Sequence, residues 1–357
     1  MEERAEEARQ AENREYRKSI QQNDDLLRRS TTFTVYEKKL VIGFLIIPFA
    51  IAGALIRVGL QQLETYNGAP VFPLIYAQWL GCVIMGIVTI HKHYLFFLYH
   101  PIQAALSSGL CGSITTFSSW QLAIFEAFAN TAGADHTRGK NILDAISQLL
   151  VTLAMSFTGY QFGHHIGIWL EHLFSSLHNT QETIDKTPAP HIVSCGFSSD
   201  RLDGRDYLII TLGGLCWLGV VLAAIFAPMS GKQLALTCVF APVGALMRWY
   251  LSFYNAVRLD FYVGTFSANL LGTLFLAVLS LLRSGIPMTS ISCFVLGALA
   301  DGLCGCLTTI STFVVELTIL PNRQSYIYGA TSIVLGQCLM FLVFGCYIWT
   351  HGVNPTC

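Results

Sequence analysis

Charge is what this chain has least of. Asp, Glu, Lys and Arg make up only 12% of its 357 residues, whereas 53% are hydrophobic. An ordinary soluble domain carries about a quarter charged residues, so a soluble globular protein is excluded. Short catalytic and nucleotide-handling motifs are missing too: there is no P-loop, and His164 and His165 have no HExxH or GxSxG companion. The eleven cysteines mostly stand alone inside apolar runs, where a free thiol behaves as a small hydrophobe. Cys304 and Cys306 lack the second ligand pair that a zinc site needs. Neither a disulfide framework nor a zinc site is expected.

Long apolar runs are there instead. A bilayer core of about 30 Å takes roughly 20 apolar residues per helical span. Nine such runs lie near Leu40–Leu63, Val71–Ile90, Pro101–Asn130, Ile142–Leu173, Tyr207–Ala227, Leu234–Ala256, Phe261–Leu282, Pro287–Leu320 and Ser325–Thr350. They are continuously apolar, unlike the alternating segments of a lipid-facing barrel, so an all-α membrane protein is expected. The first 39 residues, opening "MEERAEEARQAENREYRKS", mix both charge signs and hold no apolar core that would make a signal peptide. They read as a cytosolic arm. With that arm inside, the connections on its side carry Lys92, Lys186, Arg201, Arg205, Arg258 and Arg323, and the opposite side only Arg138, Lys140, Lys232 and Arg283. The positive-inside rule then puts the N-terminus in the cytosol and the tail from residue 351 outside.

The chain also says the same things twice. "GALIR" (Gly53–Arg57) returns as "GALMR" (Gly244–Arg248), and "GLCGSITTFSSW" (Gly109–Trp120) as "GLCGCLTTISTF" (Gly302–Phe313). The separations of Arg57 from Thr115 and of Arg248 from Thr308 are nearly equal. Two four-helix units are therefore expected, residues 40–173 and 234–350, joined by a polar linker and a fifth helix over 174–233. The odd helix between them inverts the second unit, and inverted repeats place binding sites at mid-membrane beside interrupted helices. Glycine costs about 1 kcal/mol inside a helix and paired β-branched threonines are poor helix formers, so each TT phrase favours a break. Freed carbonyls at that depth need partners. Close crossing of helices through small residues is the other reading of the same phrase.

These repeats, together with "GTFSANLLG" (Gly264–Gly272), resemble the Fluc/CrcB fluoride channel family, and the duplicated chain with its linking helix looks like the family's eukaryotic two-repeat members. The resemblance implies passive, selective fluoride export across the plasma membrane by a monomer that is an internal pseudo-dimer. It also implies a structural sodium ion held by the main-chain carbonyls of Gly112, Thr115, Gly305 and Thr308. The anion path would be lined by Phe117, Phe313, Asn269, Thr265, Thr309, Ser332 and Tyr328, with Arg248 and Arg57 at its ends. A small, strongly hydrated anion suits neutral hydroxyl and amide donors better than a ring of lysines that would trap it, and aromatic edges are electropositive.

Arg57 reads either as a pathway residue or as a side chain reaching for the interface; Arg248 reads as facing a vestibule. Glu316 and Glu126 are expected to hydrogen-bond within the bundle. The units are unequal: Gln78 stands where the second has Asn269, Ala123 where it has Glu316, and Ile310 where the first has Phe117. One path would receive Phe117 with Phe313, the other Ile310 with Trp120, so only one set of aromatics is intact. A proton-coupled antiporter and a membrane-embedded enzyme are the rival classes. "SGIP" (Ser284–Pro287) resembles the selectivity loop of CLC-type exchangers but stands alone at a helix start, where proline needs no function.

Overall fold

Every regular element of the computed structural model is helical among the described residues, 35–66, 68–131, 133, 137–182, 202–258 and 260–352. The expected arm as far as residue 34, the polar linker over 183–201 and the tail beyond Gly352 lie outside them. In chain order come α1 (Val35–Glu64), α2 (Ile75–Ile90), α3 (Lys92–Ala104), α4 (Phe117–Ala129), α5 (Arg138–Glu182), α6 (Gly204–Phe226), α7 (Lys232–Ser252), α8 (Val263–Gly285), α9 (Ser290–Ala298), α10 (Ser311–Ile319), α11 (Asn322–Met340) and α12 (Cys346–His351). Among the described residues, seven helical stretches are long and apolar enough to cross a membrane. The eighth candidate is a bent pair, Ile75–Ile90 with Lys92–Ala129, whose parts meet at 103°.

That bend departs from the two separate runs expected there. With 16 residues α2 is about 24 Å long at 1.5 Å per residue, short of the bilayer core. The chain then turns at His91, and α3 begins well before Pro101. It is kinked at Tyr99 (φ −165°, ψ 106°), two residues ahead of that proline, whose ring cannot sit against an unbroken preceding turn. Cys293 is disulfide-bonded, although the sequence implies no disulfide framework.

Backbone carbonyls and glycines hold the helices together. A Cβ on Gly163 of α5 would stand 1.9 Å from the Val83 carbonyl oxygen of α2, and one on Gly86 2.3 Å from that of Tyr160. The helices therefore touch backbone to backbone, as small residues permit in a bilayer, where dispersion rather than water exclusion drives association. The glycine of each GALxR phrase does the same. A Cβ on Gly53 would lie 2.7 Å from the Leu110 carbonyl oxygen, and one on Gly244 2.3 Å from that of Leu303. Leu110 and Leu303 are the second residues of the two GLCG phrases, so each motif arginine is aimed by a contact that occurs in both units. At the outside, α6 exposes Leu208, Leu212, Leu215, Leu222 and, at 82%, Phe226. A helix apolar all round is one that meets lipid.

Candidate functional site

Both TT phrases are breaks. After α3 the chain widens into a π-helical turn, Ala105–Cys111, tightens over Gly112–Ile114 and becomes extended at Thr115 (φ −91°, ψ 153°) and Thr116 (φ −147°, ψ 129°). After α9 the same order recurs: a π-helical turn Leu299–Cys304, then Gly305–Leu307, then Thr308 extended (φ −95°, ψ 157°). π-turns inside helices widely mark functional positions.

The breaks face each other and cap each other. Thr308 Oγ1 accepts hydrogen bonds from the amides of Phe117 and Ser118, both 3.1 Å, at the start of α4. Thr115 Oγ1 accepts from Ile310 (3.3 Å) and Ser311 (3.1 Å) at the start of α10. Each helix is thus capped by the other unit's threonine, which satisfies donors that would otherwise be orphaned in the membrane. Hydroxyl contacts from Thr116 and Ser118 to Thr308, and from Thr309 and Ser311 to Thr115, knit the two together. The second threonine of each break is then clasped by an amide side chain. Gln78 Nε2 donates to Thr116 O (2.6 Å) while Thr116 N donates to Gln78 Oε1 (3.2 Å). Asn269 does the same for Thr309, donating from Nδ2 to its oxygen (3.2 Å) and accepting from its nitrogen (2.9 Å).

The expected pathway residues converge here. Phe117 and Phe313 are fully buried and meet edge to face, centroids 5.6 Å apart. Phe117 also meets Trp120 at 5.5 Å, and Phe313 meets Tyr328 at 5.3 Å. Ile310 and Trp120 belong to the same buried cluster, with Trp120 Nε1 donating to Gln148 O at 3.0 Å. Thr265 and Tyr328 donate their hydroxyl hydrogens to the two oxygens of Glu316, Tyr328 at 2.6 Å. Ser332 donates to Tyr328 O at 2.7 Å. Glu316 is therefore hydrogen-bonded within the bundle, as expected. Asn255, which the sequence reading missed, completes that group: its Nδ2 donates to Thr265 Oγ1 (3.0 Å) and Glu316 Oε1 (3.3 Å), and its Oδ1 accepts from Thr265 N (3.0 Å). Its signal was faint, a single amide near the end of an apolar helix.

The two motif arginines are buried and reach across to the opposite unit. Arg57, 1% exposed, donates from Nη2 to the main-chain oxygen of Asp301, which removes the reading of a side chain stretching to the interface. Arg248, 4% exposed, donates from Nη1 to the oxygens of Gly112 (2.7 Å), Thr308 (3.1 Å) and Cys306, and from Nη2 to Ser108 O. Between α8, the last turn of α1, the first turns of α4 and the π-turn after α9 lies a cavity of about 200 Å³ lined by Gln61, Ser119, Ser280, Arg283 and Asp301 among others. Asp301 was also missed; its signal was a lone acid in an apolar run, at the position where the first unit has Ser108.

The comparisons agree with the doubled geometry. The family profile described as "CrcB-like protein, Camphor Resistance (CrcB)" matches twice, over residues 44–160 and 235–346. Fluoride export protein 1 of Candida albicans is 33% identical over 85% of this chain and 79% of its own length. Its namesake in Neurospora crassa is 31% identical over 87% and 67%. A fluoride-specific ion channel FluC of Desulfovibrio desulfuricans is 32% identical over 35% of this chain and 97% of its own length, so one bacterial chain corresponds to a single unit here. No solved structure matches the chain. The chain is a multi-pass membrane protein and belongs to the CrcB-like family of fluoride channels and export proteins.

Proposed function

We propose that this protein is a selective fluoride channel that exports the ion passively from the cytosol. The reading rests on the family, whose relatives carry fluoride export and fluoride channel names. The single structural observation behind it is the pair of reciprocally capped breaks. Two helices, α4 and α10, start at the same place, and helix N-termini carry partial positive charge. Beside them stand hydroxyls, amides and the edges of Phe117 and Phe313, but no lysine. Hydroxyls, amides and ring edges of this kind can replace water around a small anion without holding it permanently, while the two buried arginines are engaged by main-chain oxygens of the breaks. An inside-negative potential then supplies about 2.3 kcal/mol per elementary charge per 100 mV, which is enough to drive export with neither ATP nor a coupled ion. No catalytic role is assigned.

The finer arrangement in this proposal is nine spans in two inverted four-helix units, residues 40–173 and 234–350, with the linking helix within 174–233. The N-terminus lies in the cytosol and the tail outside the plasma membrane, and one chain is the whole pseudo-dimer. Of the two paths this creates, the one flanked by Phe117 and Phe313 carries fluoride. The test is efflux from liposomes holding purified protein: potassium fluoride should leave rapidly when a potassium ionophore sets the voltage, potassium chloride should not, and internal pH should stay unchanged. Equal efflux of the two anions, or a fixed number of protons per fluoride, would overturn it.

A further inference from the structure

The sodium ion that the family resemblance implies would need the carbonyls of Gly112, Thr115, Gly305 and Thr308 to itself. They are not free. Arg248 Nη1 donates to Gly112 O at 2.7 Å and to Thr308 O at 3.1 Å, and it reaches Cys306 O as well. Those acceptors come from both units, so one guanidinium bridges the two breaks. A sodium ion sharing these oxygens would sit against a permanent positive charge in a low-dielectric interior, where like charges repel far more than in water.

We propose that the guanidinium of Arg248 is itself the resident cation of this site, a built-in replacement for the metal ion at the meeting of the two units. Arginine suits the place: its planar fork carries five donors, and its charge survives burial better than that of any other side chain. The glycine of each phrase makes room for it. A Cβ on Gly112 would stand 2.3 Å from Arg248 Nη2, and one on Gly305 2.5 Å from Arg57 Nη2.

Only one arginine can take the centre, and the chain decides which. Ser108 and Asp301 occupy the same position, directly before the two GLCG phrases, and each offers its main-chain oxygen to the opposite unit's arginine. The second unit's copy adds a carboxylate that attracts Arg57 and is held by Gln233 Nε2 at 3.3 Å. Arg57 stays on that side, its Nη2 near Cys306 Sγ at 3.8 Å and its Nη1 without a hydrogen bond. Arg248 faces the serine copy, which has no carboxylate to draw it away, and reaches the carbonyls. Two identical subunits could not divide the roles in this way, because symmetry would send both arginines to the same place.

The experiment compares sodium chloride with N-methyl-D-glucamine chloride at equal ionic strength, on purified protein. The thermal unfolding midpoint, the sodium content after desalting and fluoride efflux should all be indifferent to the exchange, since a ligand that binds the folded state would raise the midpoint. Arg248→Ala opens the carbonyls, so its efflux should fall at least about tenfold without sodium and recover when sodium is added. Three results would overturn the proposal. They are a wild-type midpoint or efflux that falls when sodium is withdrawn, about one sodium retained per chain, or an Arg248→Ala protein as active as wild type in both media. The midpoint and the sodium content read the site even if the variant fails to fold.

Discussion

In the first unit Gly53 presses on the Leu110 carbonyl, Thr115 caps α10 and Gln78 clasps Thr116; in the second, Gly244 presses on Leu303, Thr308 caps α4 and Asn269 clasps Thr309. Position for position, the backbone frame is written twice. The side chains set on it differ. Glu316, with Asn255, Thr265 and Tyr328 around it, has only Ala123 as its counterpart. Ser108 answers Asp301, and Ile310 answers Phe117. A duplicated membrane protein must keep whatever satisfies its broken backbone, because an unpartnered buried group costs about 1–3 kcal/mol. Side chains that do not satisfy the broken backbone are under no such constraint and can diverge.

The largest effects should come from attacking the frame, and they should be equal in the two units. Gly53→Val and Gly244→Val each drive a side chain into a main-chain oxygen of the neighbouring break. Neither helix can give way without moving the arginine four residues on. Overpacking of this kind costs typically 1–3 kcal/mol and more where the obstacle is backbone. Both variants should lose most of their folded, detergent-stable protein in size-exclusion chromatography. A large loss from one and none from the other would break the claim of a doubled frame.

Smaller and unequal effects should come from the clasps. Gln78→Ala and Asn269→Ala both strip partners from the main chain of a buried threonine, so each should lower stability by about 1–3 kcal/mol. In efflux per folded molecule they should part. Asn269 stands one turn after Thr265 on α8 and clasps Thr309, residues of the proposed working path, so its loss should reduce fluoride efflux several-fold, whereas Gln78→Ala should leave it near wild type. Stability comes from thermal unfolding and efflux from a fluoride electrode, both normalised to reconstituted protein.

The long spans were legible because lipid rewards continuous apolar runs, and the breaks were legible because GLCGxxTT is a poor helix written twice. The bend after α2 was not. It depends on a helix too short for the bilayer and on His91 and Tyr99 at its turn, local features that an apolar run hides. Asn269 and Thr309 were legible as polar groups at the site but not in their roles; the sequence offers them as donors to an ion, while the fold engages them with each other. Nor could spacing show that Arg248 reaches Gly112 and Thr308 while Arg57 stays at Asp301. That depends on which unit's arginine faces an acid across the junction, and one chain read in order cannot show what lies across it.

The central claim is that the two units are equal in frame and unequal in path, and the aromatics test it most directly. Fluoride efflux should be measured for Phe117→Ile and Phe313→Ile against Ile310→Val and Trp120→Phe, each corrected for folded protein. A lost ring-edge contact of roughly 0.5–1.5 kcal/mol is up to about a tenfold change in rate. Phe117→Ile and Phe313→Ile should therefore lose most of the efflux, and Ile310→Val and Trp120→Phe should keep it. Equal losses from both pairs would contradict the account: fluoride would then use both paths, or these rings would serve packing alone.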